Sequence, residues 1–95
     1  METIVERVLK ARVRSSGEEI VVRVLIGRPY WTIENTEGAC PLTIEGLYGD
    51  LVPIRGIDPL DALRNATRMV DTLLSKIGDK YELYWSDGDE YEPLA

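Results

Sequence analysis

The chain contains no histidine and only one cysteine, Cys40. Without histidine, the Ser–His and Cys–His pairs of nucleophilic catalysis cannot form, and zinc sites built from cysteine and histidine are also excluded. A single cysteine allows no intrachain disulfide, which is typical of proteins in a reducing cytosol. We therefore expect a cytoplasmic, non-enzymatic protein with no catalytic residue, metal or cofactor, in which Cys40 is a small buried apolar residue.

Long apolar runs and phosphate-binding glycine motifs are also missing. No segment approaches the roughly 18 to 20 apolar residues of a membrane span. Charged side chains from Glu2 to Lys10 interrupt any apolar region of the kind that a signal peptide needs. Neither G-x-x-x-x-G-K-[ST] nor a G-x-G-x-x-G after a strand occurs. We expect no membrane association.

Positive charge is scarce, with 11 basic against 17 acidic residues and a net charge of −6. Its distribution is uneven, since residues 1–28 carry +2 and the remaining residues carry −8. Nucleic-acid affinity depends on basic groups that meet phosphates, so nucleic acid is not the expected partner. A basic protein partner fits this charge better.

Two β-rich segments separated by Ser16–Gly17 predict a hairpin. A two-residue turn pairs Ala11 with Val22 and places apolar residues on one face. The opposite face then carries a basic row: Lys10, Arg12, Arg14 and Arg23. This row is either a docking patch for an acidic partner or a solvated sheet face, which is common in antiparallel folds.

Further strands are predicted around residues 40–45, where Cys40, Leu42 and Ile44 alternate with polar residues or proline, and at residues 80–85. A candidate short strand and a turn at Asn35–Gly38 are indicated within residues 30–38, and a loop or a short strand around Leu51–Ile54. Apolar spacing from Leu60 to Ile77 predicts one long helix, which begins at Pro59 after the cap residue Asp58. The order ββ(β)β(β)αβ indicates a single α+β domain over residues 1–95, with a mostly antiparallel sheet of four to five strands on one long helix.

Two further groups of residues could contact a partner. Trp31 lies beside a strand end in a polar neighbourhood, where it either anchors a partner or closes one end of the core. An acidic C-terminal tail is expected over residues 87–95, following a core of about residues 3–86. Three of its acids, Asp87, Asp89 and Glu90, could hold a divalent cation, dock a basic partner or simply be solvated.

The segments "CPLTIEGL" and "GIDPLDAL" carry a family resemblance. With the hairpin before them and a closing strand ending near Trp85, they resemble a family of small, uncharacterised bacterial single-domain α+β proteins, which implies a fold and no activity. The architecture is more loosely similar to HicB-type antitoxins, which neutralise a small basic ribonuclease. This chain lacks the glycine and acid pattern of their second strand.

Three classes of function follow as hypotheses. The first is a bacterial protein-interaction module that resembles an antitoxin, immunity protein or adaptor. A small-molecule or nucleotide-binding domain is the alternative, and a carboxylate- and metal-dependent enzyme is a third. An open sheet edge could also form a homodimer.

Overall fold

The computed structural model describes residues 1–94 and shows an α+β fold with two antiparallel sheets and one helix. Ala95, the last residue of the predicted tail, lies outside the described part. The elements are β1 (Thr3–Val13), β2 (Glu19–Gly27), β3 (Tyr30–Ile33), β4 (Glu37–Cys40), β5 (Leu42–Glu45), β6 (Gly49–Asp50), β7 (Ile54–Gly56), α1 (Pro59–Lys76) and β8 (Tyr81–Trp85). The larger sheet has the order β6-β5-β2-β1-β8, and a second, unexpected sheet has the order β3-β4-β7.

The β1–β2 hairpin forms, but the predicted pairing is wrong by two residues. Ala11 pairs with Ile20 rather than with Val22. The reason is a longer turn, in which the Gly17 N–H donates to the Val13 carbonyl oxygen at 2.7 Å. Gly17 has a left-handed φ of 74°, which glycine adopts without strain. Because the displacement is even, each side chain keeps its predicted face.

Pro41 divides the strand that was predicted over residues 40–45. Before it, β4 pairs with β3 and β7, whereas after it β5 pairs with β2 and β6. Proline has no N–H to contribute to a ladder, so a chain that changes sheets at this residue loses no hydrogen bond. The Pro41 carbonyl oxygen instead accepts from the Gly27 N–H at 3.0 Å. Cys40 is fully buried at this crossing, and its burial raises the pKa of the thiol.

The helix begins and ends close to its predicted bounds. The Asp58 carboxylate accepts from the Asp61 N–H at 2.7 Å, so it is the N-cap. The buried face contains Ala62, Ala66, Val70 and Leu74 at a spacing of four residues. Leu60, which the apolar spacing assigned to the core, is 63% exposed because it lies off this face. Within residues 1–94, no helix is both long and apolar enough to cross a membrane.

One core joins the helix to the larger sheet. Leu9 and Ala11 of β1 and Val22, Val24 and Ile26 of β2 are buried against the helix, whereas the residues that alternate with them, such as Lys10, Arg12, Val21 and Arg23, are exposed. This alternation is expected for a sheet with one covered face. The buried members of the core cluster are Leu9, Ala11, Val22, Val24, Ile26, Cys40, Leu42, Ile44, Ala62, Ala66, Val70, Leu74, Leu83 and Tyr91.

Candidate functional site

The predicted basic row lies on the exposed face of the larger sheet, but acids surround it. Arg12 pairs with Glu19 at 4.0 Å. Arg23 pairs with Glu6 at 2.9 Å and with Glu45 at 3.9 Å. These pairs join neighbouring strands, β1 with β2 and β2 with β5. The face therefore carries mixed charge rather than a continuous positive patch.

Arg14 lies in the longer turn, just beyond the end of β1. Its Nε donates to the Gly78 carbonyl oxygen at 3.0 Å, and its guanidinium lies 3.7 Å from Glu82. The Tyr84 hydroxyl donates to the same carboxylate at 2.6 Å, which lowers the pKa of Glu82 and raises that of Tyr84. Arg14 thus ties the hairpin turn to the chain that leads into β8. Lys10 is exposed between these groups.

Trp31 lies in β3, an edge strand of the smaller sheet, and is 39% exposed. Its neighbours Tyr30 and Ile33 are also exposed. Trp31 pairs with Gly38 of β4, so it lies near the start of α1. The structure therefore places Trp31 at the surface and outside the core cluster.

The acidic segment folds back on the sheet instead of extending into solvent. The Asp89 N–H donates to the Asp87 carboxylate at 3.0 Å, and the Asp89 carbonyl oxygen accepts from the Trp85 N–H at 2.8 Å. The backbone of Glu90 pairs with that of Tyr84 in an isolated antiparallel β-bridge. In the described residues, no group of three or more acids and cysteines is arranged to hold a metal ion. The acids shape a tight turn that returns the chain toward the helix.

That return positions Tyr91, which belongs to the predicted acidic tail. The Tyr91 N–H donates to the Leu83 carbonyl oxygen at 3.0 Å, and the side chain is 7% exposed. Its ring meets the Trp85 ring edge-on, with centroids 4.9 Å apart and planes at 87°. Such a contact adds roughly 0.5–1.5 kcal/mol beyond the burial of the rings. A lone aromatic residue among acids was the only signal of this contact in the sequence.

Beside these rings lies a groove of about 520 Å³, bounded by β1, α1 and the C-terminal segment. Apolar side chains form most of its wall, including Val5, Val70 and Trp85. We call it the aromatic groove. Its full lining is Val5, Glu6, Arg7, Val24, Ile26, Thr67, Val70, Asp71, Trp85, Tyr91, Glu92 and Leu94.

Arg7 is the one cation among these lining residues. Its guanidinium carbon lies 5.1 Å from the Trp85 ring centroid and 5.6 Å from that of Tyr91, and Nη1 donates to the Tyr91 hydroxyl at 3.1 Å. The same lining contains the carboxylates of Asp71 and Glu92, so the groove carries net negative charge, while the Glu6 carboxylate pairs with Arg23 on the exposed face of the sheet.

The lining combines carboxylates, one guanidinium and an aromatic wall. Its carboxylates and its aromatic wall together favour a ligand that is both cationic and partly apolar. Sequence reasoning did not identify this groove, because Arg7 and Tyr91 are 84 positions apart in the chain.

No family model, curated protein or solved structure matches the chain.

Proposed function

We propose that the protein is a non-enzymatic interaction module that binds a basic segment of another protein in the aromatic groove. The observation that carries the proposal is the combination of an apolar aromatic wall with the carboxylates of Asp71 and Glu92 in one groove. Interfaces of this kind draw affinity from buried aromatic anchors, while charges of opposite sign steer the partner and select it.

Both carboxylates are free to receive a partner's cations. Asp71 lies on α1, and its carboxylate accepts only a long 3.4 Å contact from the Leu94 N–H among the described residues. Glu92 is exposed across from it on the C-terminal segment. The Glu6 carboxylate pairs with Arg23 on the exposed face of the sheet, so it does not serve the groove. A lysine or arginine side chain could lay its apolar stem on the wall and extend its charge to Asp71 and Glu92.

The experiment is affinity capture from lysates of the native cells, followed by direct titration of the captured protein in purified form. We expect a basic partner whose affinity falls about tenfold or more in the Asp71→Asn/Glu92→Gln double variant, and which weakens as salt rises. Asp79→Asn, a matched change at an exposed position outside the groove lining, should have no effect. If the groove variant binds as tightly as the wild type, the groove is not the binding site.

A small cationic ligand is the second candidate, because a volume of about 520 Å³ lies within the usual range of small-molecule sites. The carboxylates oppose a nucleotide, whose phosphates they would repel. A thermal-shift panel of polyamines and cationic aromatic compounds tests this alternative. A rise in Tm that the Asp71→Asn/Glu92→Gln variant abolishes would support it.

A further inference from the structure

The strand β1 is much longer than its neighbour β8, and this leaves part of a sheet edge open. Of its residues Thr3–Val13, only Leu9–Val13 pair with β8. Within the described chain, residues 3–8 therefore have a strand neighbour on the β2 side alone. We call residues 3–8 the open edge. A row of backbone groups without a strand partner is a template for pairing with another chain.

The direction of the backbone groups follows from one contact. The Val8 carbonyl oxygen accepts from the Ser86 hydroxyl at 3.3 Å, so Val8 turns its peptide groups toward the β8 side. Successive residues in a strand alternate, so Glu6 directs its N–H and carbonyl to the same side. These groups of Glu6 lie where an added strand would meet them.

The open edge and the aromatic groove share residues. Val5, Glu6 and Arg7 belong to β1 and also line the groove. On the opposite face of β1, Ile4 and Val8 are 45% and 37% exposed, so apolar surface is available beside the open edge. An extended chain beside the open edge would project alternate side chains into the groove and toward Ile4 and Val8.

We propose that the partner binds as an added β-strand on the open edge, through an extended segment in which basic and apolar residues alternate. This inference rests on the proposed function and specifies how the partner is held. Basic side chains face the groove, where Asp71 and Glu92 lie, and apolar side chains cover Ile4 and Val8 on the other face. Strand addition gives affinity through backbone hydrogen bonds, and the groove gives specificity through side chains.

A basic partner suits this edge better than a second copy of the chain does. The open edge of a second copy carries one acid, Glu6, and one base, Arg7, and so would bring no net positive charge to an acidic groove. The bulge at Ile4, which has no Cα partner on β2, also shortens the regular part of the edge. Such bulges protect edges from indiscriminate pairing.

The test uses three synthetic peptides of about eight residues, the length of an ordinary strand. The first alternates valine with lysine, the second alternates valine with glutamate, and the third is the first with alternate backbone amides N-methylated. Calorimetry measures the affinity for the full chain, and hydrogen exchange measures protection of the Glu6 amide. We expect the first peptide to bind and to slow exchange at Glu6.

The other two peptides separate the inference from the proposed function. The glutamate peptide should not bind, and N-methylation should weaken binding about fivefold or more through lost hydrogen bonds. If the methylated peptide bound as tightly as the first and the Glu6 amide were not protected, strand addition would be overturned. The proposal that the groove binds a basic segment would not be affected. Equal binding of the glutamate peptide would overturn the preference for basic segments, and failure of all three would overturn both proposals.

Light scattering on the free protein tests whether a second copy of the chain occupies the open edge. We expect a monomer whose Glu6 amide exchanges rapidly. A dimer with a protected Glu6 amide would show that a second copy occupies the open edge, and would contradict the proposal.

Discussion

Gly38 and Gly56 lie where the first turn of α1 meets the smaller sheet. A Cβ atom on Gly38 would lie 2.3 Å from the carbonyl carbon of Asp58, and one on Gly56 would lie 2.4 Å from the Ala62 nitrogen. Both clashes are with backbone, which cannot rotate away as a flexible side chain can. These two positions need glycine because of close approach, not because of a left-handed φ.

Gly38→Ala should therefore displace the start of the helix and lower the free energy of unfolding by about 1–3 kcal/mol. Urea denaturation followed by circular dichroism measures the change. Gly78→Ala is the matched control, because its nearest contact is the Ser75 carbonyl oxygen at 3.5 Å, and it should stay within about 0.5 kcal/mol of the wild type. Equal stability of the Gly38→Ala variant would show that the helix does not approach β4 this closely.

Glu37 and Arg55 form an ion pair between β4 and β7. The hydrogen bond from Arg55 is the main reason that the pKa of Glu37 lies below its ordinary value of 4.5. A lowered carboxylate pKa stabilises the fold above the unfolded-state value and loses that contribution as pH falls through the folded-state value. In an NMR titration, Glu37 should protonate below pH 4.5, and Arg55→Gln should raise its pKa. An unchanged pKa in that variant would exclude the pair as the cause.

At the scale of elements, the helix was predictable because its signals are local. Asp58, Pro59 and the apolar spacing that follows determine where α1 begins and how long it runs. The strand faces were also predictable, since alternation survives an even displacement of register. The exact pairing of β1 with β2 was not predictable. It depends on the left-handed conformation of Gly17 in a turn that is longer than the two residues expected from the sequence.

The smaller sheet and the aromatic groove could not be predicted in the same way. Pro41 was compatible with a strand edge, and nothing local showed that the chain changes sheets there. The groove depends on contacts between the two ends of the chain, Arg7 with Trp85 and Tyr91. Composition and periodicity describe residues that are close in the sequence, so they do not predict contacts between its two ends.

The C-terminal segment after β8 should be a structural element rather than a dispensable tail. Tyr91→Ala removes a ring that is 7% exposed and belongs to the core cluster, and should lower the free energy of unfolding by about 3 kcal/mol. Chemical denaturation measures the loss, with Tyr91→Phe as a milder variant that keeps the ring. Tyr30→Ala, at a residue that is 44% exposed, should cost much less. Similar stability of Tyr91→Ala and the wild type would mean that the segment detaches in solution.

For the whole molecule, the arrangement of the two sheets predicts how the protein unfolds. The chain passes from one sheet to the other at Pro41, and Cys40 of β4 and Leu42 of β5 are buried in the same core. The helix lies against β4 and β7, while its buried face joins residues of the larger sheet. Since neither sheet has a separate core, we expect the two to unfold together as one cooperative unit.

The two tryptophans allow this expectation to be measured, because Trp31 lies in the smaller sheet and Trp85 in the larger. In Trp85→Phe the fluorescence reports on β3, and in Trp31→Phe it reports on β8. Each variant should show a urea midpoint by fluorescence that coincides with its midpoint by circular dichroism, and the two variants should share one m-value, since m follows the surface exposed on unfolding. If fluorescence in Trp85→Phe changed at lower urea than the helix signal, the smaller sheet would be a separate folding unit, and Gly38 and Gly56 would not couple it to α1.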